Sequence, residues 1–212
     1  MGMIGNRLPL TDVMSRLAYA RPVFHSEADF QFAFAQTVWS MDPDIKLRLE
    51  VPARNPLTRR AEYIDLVCIG DSVTRVEFKY ATRKWEGTDG ITDELFLLRD
   101  HAAMDLARHG FVHDVFRLER LTADGDSNGL AIMLTNSPSL WNPGAATSRD
   151  AAFRIDEGRT LTGELSWGTP DSPYPKNDRT LGGRYTAHWR DFSTPVGSEF
   201  RWLGWTITSP AS

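Results

Sequence analysis

The stretch that decides the fold is YIDLVCIGDSVTRVEFKY, residues 63–80. Apolar residues flank Gly70-Asp71-Ser72 on both sides, a strand–turn–strand pattern. Asp65, Glu77 and Lys79 stand among them, and charged groups are rarely fully buried unless they are paired or bind a metal. Side chains alternate across a strand, which puts Asp65 on one face with Tyr63, Val67 and Ile69, and Glu77 with Arg75 and Lys79. A three-residue loop at 70–72 sets Ile69 opposite Val73, Leu66 opposite Val76 and Asp65 opposite Glu77. A two-residue loop sends the two acids to opposite faces. Cross-strand partners have Cβ atoms about 4.5–5.5 Å apart. Carboxylates that close repel unless a cation or a shared proton relieves them.

The elements around this hairpin follow from periodicity. HSEADFQFAFAQTVWSM has Ser26 and Asp29 as a capping-box-like start, and Phe30, Phe34, Val38 and Met41 recur at helical spacing. A helix over 26–41 is expected, ended by Asp42-Pro43, with Glu27 on the stripe of Phe30, Gln31 and Phe34. IKLRLEV, 45–51, alternates as a half-exposed strand, and the basic loop PARNPLTRRAE, 52–62, leads into the hairpin. TDELFLLRDHAAMDLARHG, 92–110, reads as a helix capped by Thr92 and stopped by Gly110, with FVHDVFRLERL, 111–121, as a second. GLAIMLTN, 129–136, reads as a buried strand. RTLTGELSW, GRYTAHWRDF and EFRWLGWTIT are candidate strands of an antiparallel layer, and 170–183 a long loop. No linker divides the chain, so one domain spans 1–212, with helices against a sheet.

Composition sets the outer bounds. The chain has 212 residues, 41% hydrophobic and 25% charged, with a net charge of −4, an ordinary globular balance. The absence of a long apolar run argues against a membrane span, and the first 22 residues lack an apolar signal core. The single cysteine, Cys68, reads as a buried thiol in a reducing, cytoplasmic setting. A net negative chain is a poor nucleic-acid coat. Yet Arg54, Arg59, Arg60, Arg75, Lys79, Arg83 and Lys84 gather around the hairpin, either as a solvated face or as a local binding patch. His109 and His113 lack the acid of a zinc-protease motif. Neither a nucleophile elbow nor a phosphate-binding glycine loop is present. Trp141, Trp167, Trp189, Trp202 and Trp205 read as core of the C-terminal third more than as base-stacking platforms.

Two facing carboxylates with an ammonium two residues along suit hard-cation chemistry, since oxygen ligands favour magnesium or manganese. Such a metal lowers the pKa of bound water, and metal and lysine together stabilise charge growing on a phosphate. In this order, a helix Glu27, a strand Asp65 and a following-strand Glu77-Phe78-Lys79 resemble the motif of the PD-(D/E)XK nuclease superfamily, which includes many restriction endonucleases. The resemblance covers roughly residues 24–136, with Ile64 where the family's name has Pro. It implies an α/β, restriction-endonuclease-like fold: a central mixed β-sheet flanked by helices, here with a β-rich C-terminal extension over about 140–212. It implies a magnesium- or manganese-dependent nuclease, a hydrolase of phosphodiester bonds in DNA ahead of RNA, and it leaves open whether the chain works as a homodimer that cuts both strands. Asp65 and Glu77 would bind the metal with help from the Phe78 carbonyl, and Lys79 would position the attacking water or stabilise the transition state. Glu27 would complete the metal site directly or through water. Gln31 would assist, and Arg83 and Lys84 would contact phosphates. The alternatives are a non-catalytic member of the same fold that binds nucleic acid or protein, and an unrelated α/β protein with structural charges.

Overall fold

The computed structural model describes residues 2–208 apart from 56–58, 91, 124 and 146, so part of the basic loop 52–62 lies outside the described residues. The chain opens with a short strand pair, β1 (Met3–Ile4) and β2 (Leu8–Pro9), and helices α1 (Leu10–Ala20) and α2 (Glu27–Met41). Strands β3 (Lys46–Arg54), β4 (Ala61–Ile69) and β5 (Val73–Ala81) follow, then a separate hairpin of β6 (Trp85–Thr88) and β7 (Leu95–Leu98). Helix α3 (Met104–Leu121) leads into β8 (Ser127–Thr135). The last third holds β9 (Thr160–Leu165), β10 (Gly168–Thr169), β11 (Ser172–Pro173), β12 (Arg179–Thr186), β13 (Arg190–Ser193) and β14 (Phe200–Ile207).

Among the described residues the architecture is mixed α/β, with three α-helices and a central six-stranded sheet in the order β13-β14-β8-β5-β4-β3. β5 and β8 run parallel and the other neighbours antiparallel. Parallel neighbours need a long crossover, and α3 supplies it. Alternation along the strands splits the core. Val76, Phe78 and Tyr80 of β5 pack with Leu130, Ile132 and Leu134 of β8 against α1 and α2. Ala81, Ala131 and Met133 face α3 and the β9–β12 pair. The odd-numbered residues of β5, Glu77 and Lys79 among them, therefore point to the α3 side.

Ser26 caps α2 by accepting the Asp29 N–H at 3.2 Å, and Asp42 closes the helix as expected. The 92–110 region departs from expectation. Leu95–Leu98 is a strand: Leu95 and Leu97 are exposed while Phe96 and Leu98 are buried, a period of two that makes β7 pair with β6. The two expected helices are one, because α3 runs through Gly110 without a break. The C-terminal third does not form a layer by itself. β9 and β12 pair over α3, but β14 inserts between β13 and β8 in the central sheet. GRYTAHWRDF is split between the end of β12 and β13. The five tryptophans are all buried, in both halves of the core. Cys68 is buried and free, its thiol pushed up to about 12 by burial. Among the described residues no helix is long and apolar enough to cross a membrane.

Candidate functional site

The β4–β5 ladder has the register of a three-residue loop, with Ile69 opposite Val73 and Leu66 opposite Val76. It stops there, one step short of Asp65 and Glu77. On the other flank of β4 the β3 ladder lapses between Leu49–Leu66 and Val51–Ile64. Glu50, opposite Asp65, has φ 50°, a left-handed conformation costly for a residue with a Cβ. Asp65 thus sits where β4 is released from its neighbours and the two hairpin strands fork.

Backbone N–H groups beyond the fork need acceptors, and two carboxylates supply them. Asp65 Oδ2 accepts the Phe78 N–H at 2.8 Å, and Glu27 Oε2 accepts the Tyr80 N–H at 2.8 Å. Alternate residues of an antiparallel strand direct their N–H groups to the same side, so both acids replace the departed strand. Glu27 reaches the fork because Ser26 and the Asp42 turn set the span of α2, and its first-turn side chain points back along the axis. Burial raises the Glu27 pKa, opposed by the Lys79 ammonium and the Tyr80 N–H.

Between the two acids, Glu77 and Lys79 turn toward α3. Glu77 is 2% exposed and its Oε1 accepts no hydrogen bond among the described residues; the Arg117 guanidinium lies 3.3 Å away. Burial, with the nearby charges of Asp114 and Asp65, pushes the Glu77 carboxyl up to about 9. Lys79 Nζ lies 2.6 Å from Asp114 Oδ2 and donates to the Phe78 carbonyl at 3.0 Å. Burial pulls its pKa down, but Asp114 and Glu27 outweigh that and leave it raised. Asp114 is itself 5% exposed and pushed up to about 6, by burial first, against the pull of Lys79.

Asp114 and Arg117 escaped the sequence reading. Arg117 donates to the Tyr63 carbonyl at 2.6 Å and lies 3.6 Å from Asp114 Oδ1 and from Glu62 Oε2, so it ties α3 to the fork. One signal did lie in the sequence. Gly110 is four residues before Asp114 and shares its helix face, and a Cβ there would meet Lys79 Cε at 3.3 Å. The glycine read as a helix stop is the gap through which Lys79 reaches Asp114.

The remaining candidates lie farther out. Gln31 is half-buried one turn along α2. Arg83 and Lys84 are exposed just past β5, where the Arg83 N–H donates to Asn136 Oδ1 at 2.7 Å. His109 and His113 are engaged elsewhere: His109 Nε2 with the Asn177 carbonyl at 2.9 Å, and His113 Nδ1 with Arg179 Nε at 2.9 Å. Burial and the Arg179 charge push His113 down to about 4.

Asp65, Glu77 and the Phe78 carbonyl are hard oxygen donors, and Glu77 Oε1 is a buried acceptor without a hydrogen bond, which Arg117 faces at 3.3 Å while Lys79 takes the Phe78 carbonyl. Among the described residues, no three His, Cys, Asp or Glu side chains form a ready-made metal cluster. A cation placed there would be held through one or two carboxylates and would keep several waters, as magnesium does. Comparison of the chain with protein-family models, with curated proteins and with solved structures finds no match.

Proposed function

We propose that this chain is a metal-dependent phosphodiesterase of the PD-(D/E)XK, restriction-endonuclease-like class, acting on DNA. The observation that carries the reading is the fork: Asp65 and Glu27 hold successive outward N–H groups of β5, and Glu77 and Lys79 stand on the same short segment. The mixed sheet with helices on both faces is compatible with that class. Asp65 and Glu77, with the Phe78 carbonyl, would hold the cation, and Glu27 would act from the flank. When bound, the cation would supply a water of lowered pKa and a Lewis acid for the phosphate. The chain's own residues do the rest. Lys79, kept protonated by Asp114, presents a positive charge beside the reacting phosphate and stabilises the charge that grows there. Asp114 and Arg117 position Lys79 and Glu77 from α3. Exposed Arg83 and Lys84 lie past the end of β5 as phosphate contacts.

One observation favours a second reading, a non-catalytic nucleic-acid-binding member of the same fold. Lys79 already spends its ammonium on Asp114 and Phe78, and Arg117 already faces Glu77. Cleavage of plasmid and linear DNA in magnesium or manganese, with Asp65→Ala and Lys79→Ala alongside, separates the two. The phosphodiesterase reading expects metal-dependent cutting by the wild type, lowered about a hundredfold or more in either variant, the scale of losing one preorganised charge-stabilising group. Equal activity in all three overturns it. Binding without cutting in every metal supports the second reading.

A further inference from the structure

Beside the fork, a cleft of about 610 Å³ opens between the start of α2 and the β6–β7 hairpin. Glu27 lines it, so the cleft and the candidate site share a wall. Its lining is more polar than apolar, with buried Leu98 and Tyr80 as its apolar part and Leu97 at its edge 61% exposed. The His25 ring stacks on Phe96 with centroids 4.5 Å apart, and His25 Nε2 lies 2.8 Å from Glu94 Oε1, tying the hairpin to the helix end. His101 is held through Nδ1 by the Thr82 N–H at 3.1 Å. The Arg99 side chain is exposed at the rim.

This volume lies in the range of about 300–1,000 Å³ that holds one small molecule, far too little for a stretch of stacked duplex. The chemistry of the walls is selective too. A bare phosphate needs cations and no apolar surface, whereas an unpaired nucleotide presents a flat base to rings and apolar side chains and a phosphate to a cation. Rings (His25, His101), apolar side chains (Leu97, Leu98) and a cation (Arg99) line the cleft together with Glu27. We infer that it receives one unpaired nucleotide adjacent to the scissile phosphate, so that the substrate is single-stranded DNA, or DNA with a single-stranded flap, and not continuous duplex. This rests on the phosphodiesterase reading above.

The test is fluorescence anisotropy with a labelled single-stranded DNA oligonucleotide and the blunt duplex of the same sequence, at one salt concentration and with chelator present. Wild type is compared with Leu97→Asp and with Leu95→Asp, which makes the same charge change on the same exposed face but outside the cleft lining. Both leucines are exposed, so neither change disturbs the core. The single strand should bind about tenfold or more tighter than duplex, and Leu97→Asp should remove about tenfold, the scale of losing one base contact, while Leu95→Asp leaves binding near wild type. Duplex bound as tightly as single strand, or equal losses in the two variants, overturns the inference. A parallel metal-dependent cleavage assay distinguishes the two claims. Single-strand preference without any cutting retains the cleft and overturns the phosphodiesterase, and cutting with no strand preference does the reverse.

Discussion

Glu77 is the residue whose environment is most at odds with its chemistry. Its folded pKa, up at about 9, exceeds the ordinary 4.5 of an unfolded glutamate, burial being the first cause. Between those values the folded chain holds a proton that the unfolded chain has released, so its contribution to stability falls as pH rises. Asp114 has the same sign but finishes near pH 6, and His113, pushed down to about 4, has the opposite sign and finishes near 6.5. From pH 7 to 8.5 the Asp114 and His113 contributions are complete while that of Glu77 is still changing. Glu77→Gln, measured by denaturant unfolding in chelating buffer, should be the more stable protein by a margin that widens across that window, at up to about 1.4 kcal/mol per pH unit. A margin that is flat or shrinks with pH would show that Glu77 is ionised in the folded chain. Gly110 makes a different trade. Alanine favours a helix interior over glycine by about 1 kcal/mol, but here its methyl presses on Lys79 Cε at 3.3 Å. Gly110→Ala should melt no lower than wild type, yet cut DNA about tenfold more slowly, since small misplacements of a reacting-site group are costly. Unchanged cleavage would mean that Lys79 does not need its present path.

Each acid at the fork depends on how its element ends. Glu27 occupies the first turn of α2, one residue after the cap, and its bond to the Tyr80 N–H is a tertiary anchor for that turn. Ser26→Ala should cost about 1 kcal/mol, read as a fall in Tm of about 2–4 °C for a chain of this size. The fraying should also weaken Glu27's hold on β5, seen as faster hydrogen exchange at the Tyr80 amide. Exchange there unchanged from wild type would mean that the cap and the anchor are independent. Local chemistry of this kind is what the sequence displays well. The Ser26 cap and the hairpin register were legible because each rests on neighbours in the chain: a hydroxyl three residues from an N–H, and a three-residue turn between apolar runs. The 92–110 segment was not, because LFLL fits a buried helix turn and a four-residue strand equally, and only pairing with Trp85–Thr88 decides between them. Asp114 was hidden for a related reason. Its meaning depends on a lysine 35 positions away on another element, and an acid on an amphipathic helix ordinarily faces solvent.

At the scale of the molecule, the candidate site and the sheet that holds it have different boundaries in sequence. Every residue placed at the fork, from Glu27 to Arg117, lies in the first 120 residues, and the motif itself ends at Lys79. The support does not end there. β5, which carries Glu77 and Lys79, is backed along its whole length by β8, and β8 is covered on its other edge by β14, from Arg201 opposite Thr135 to Ile207 opposite Gly129. β8 is buried on both faces, so an uncovered edge there would expose an unpaired row of backbone groups beside a strongly apolar strand, a template for aggregation. On the α3 side, Trp167, Leu181, Tyr185 and Trp205 pack into the same cluster as Phe111 and Val115 of the helix that presents Asp114. The C-terminal third is thus a load on the site's geometry and not an appendage to it. A chain cut after residue 158, which keeps the whole motif, α3 and β8, should fail to show a cooperative thermal transition and should bind a hydrophobic dye. Addition of residues 159–212 as a separate polypeptide, if it restores a single transition, would confirm that the missing strand is the cause. A truncated chain that melts cooperatively near the wild-type Tm would show instead that the fork is held by the first 158 residues alone.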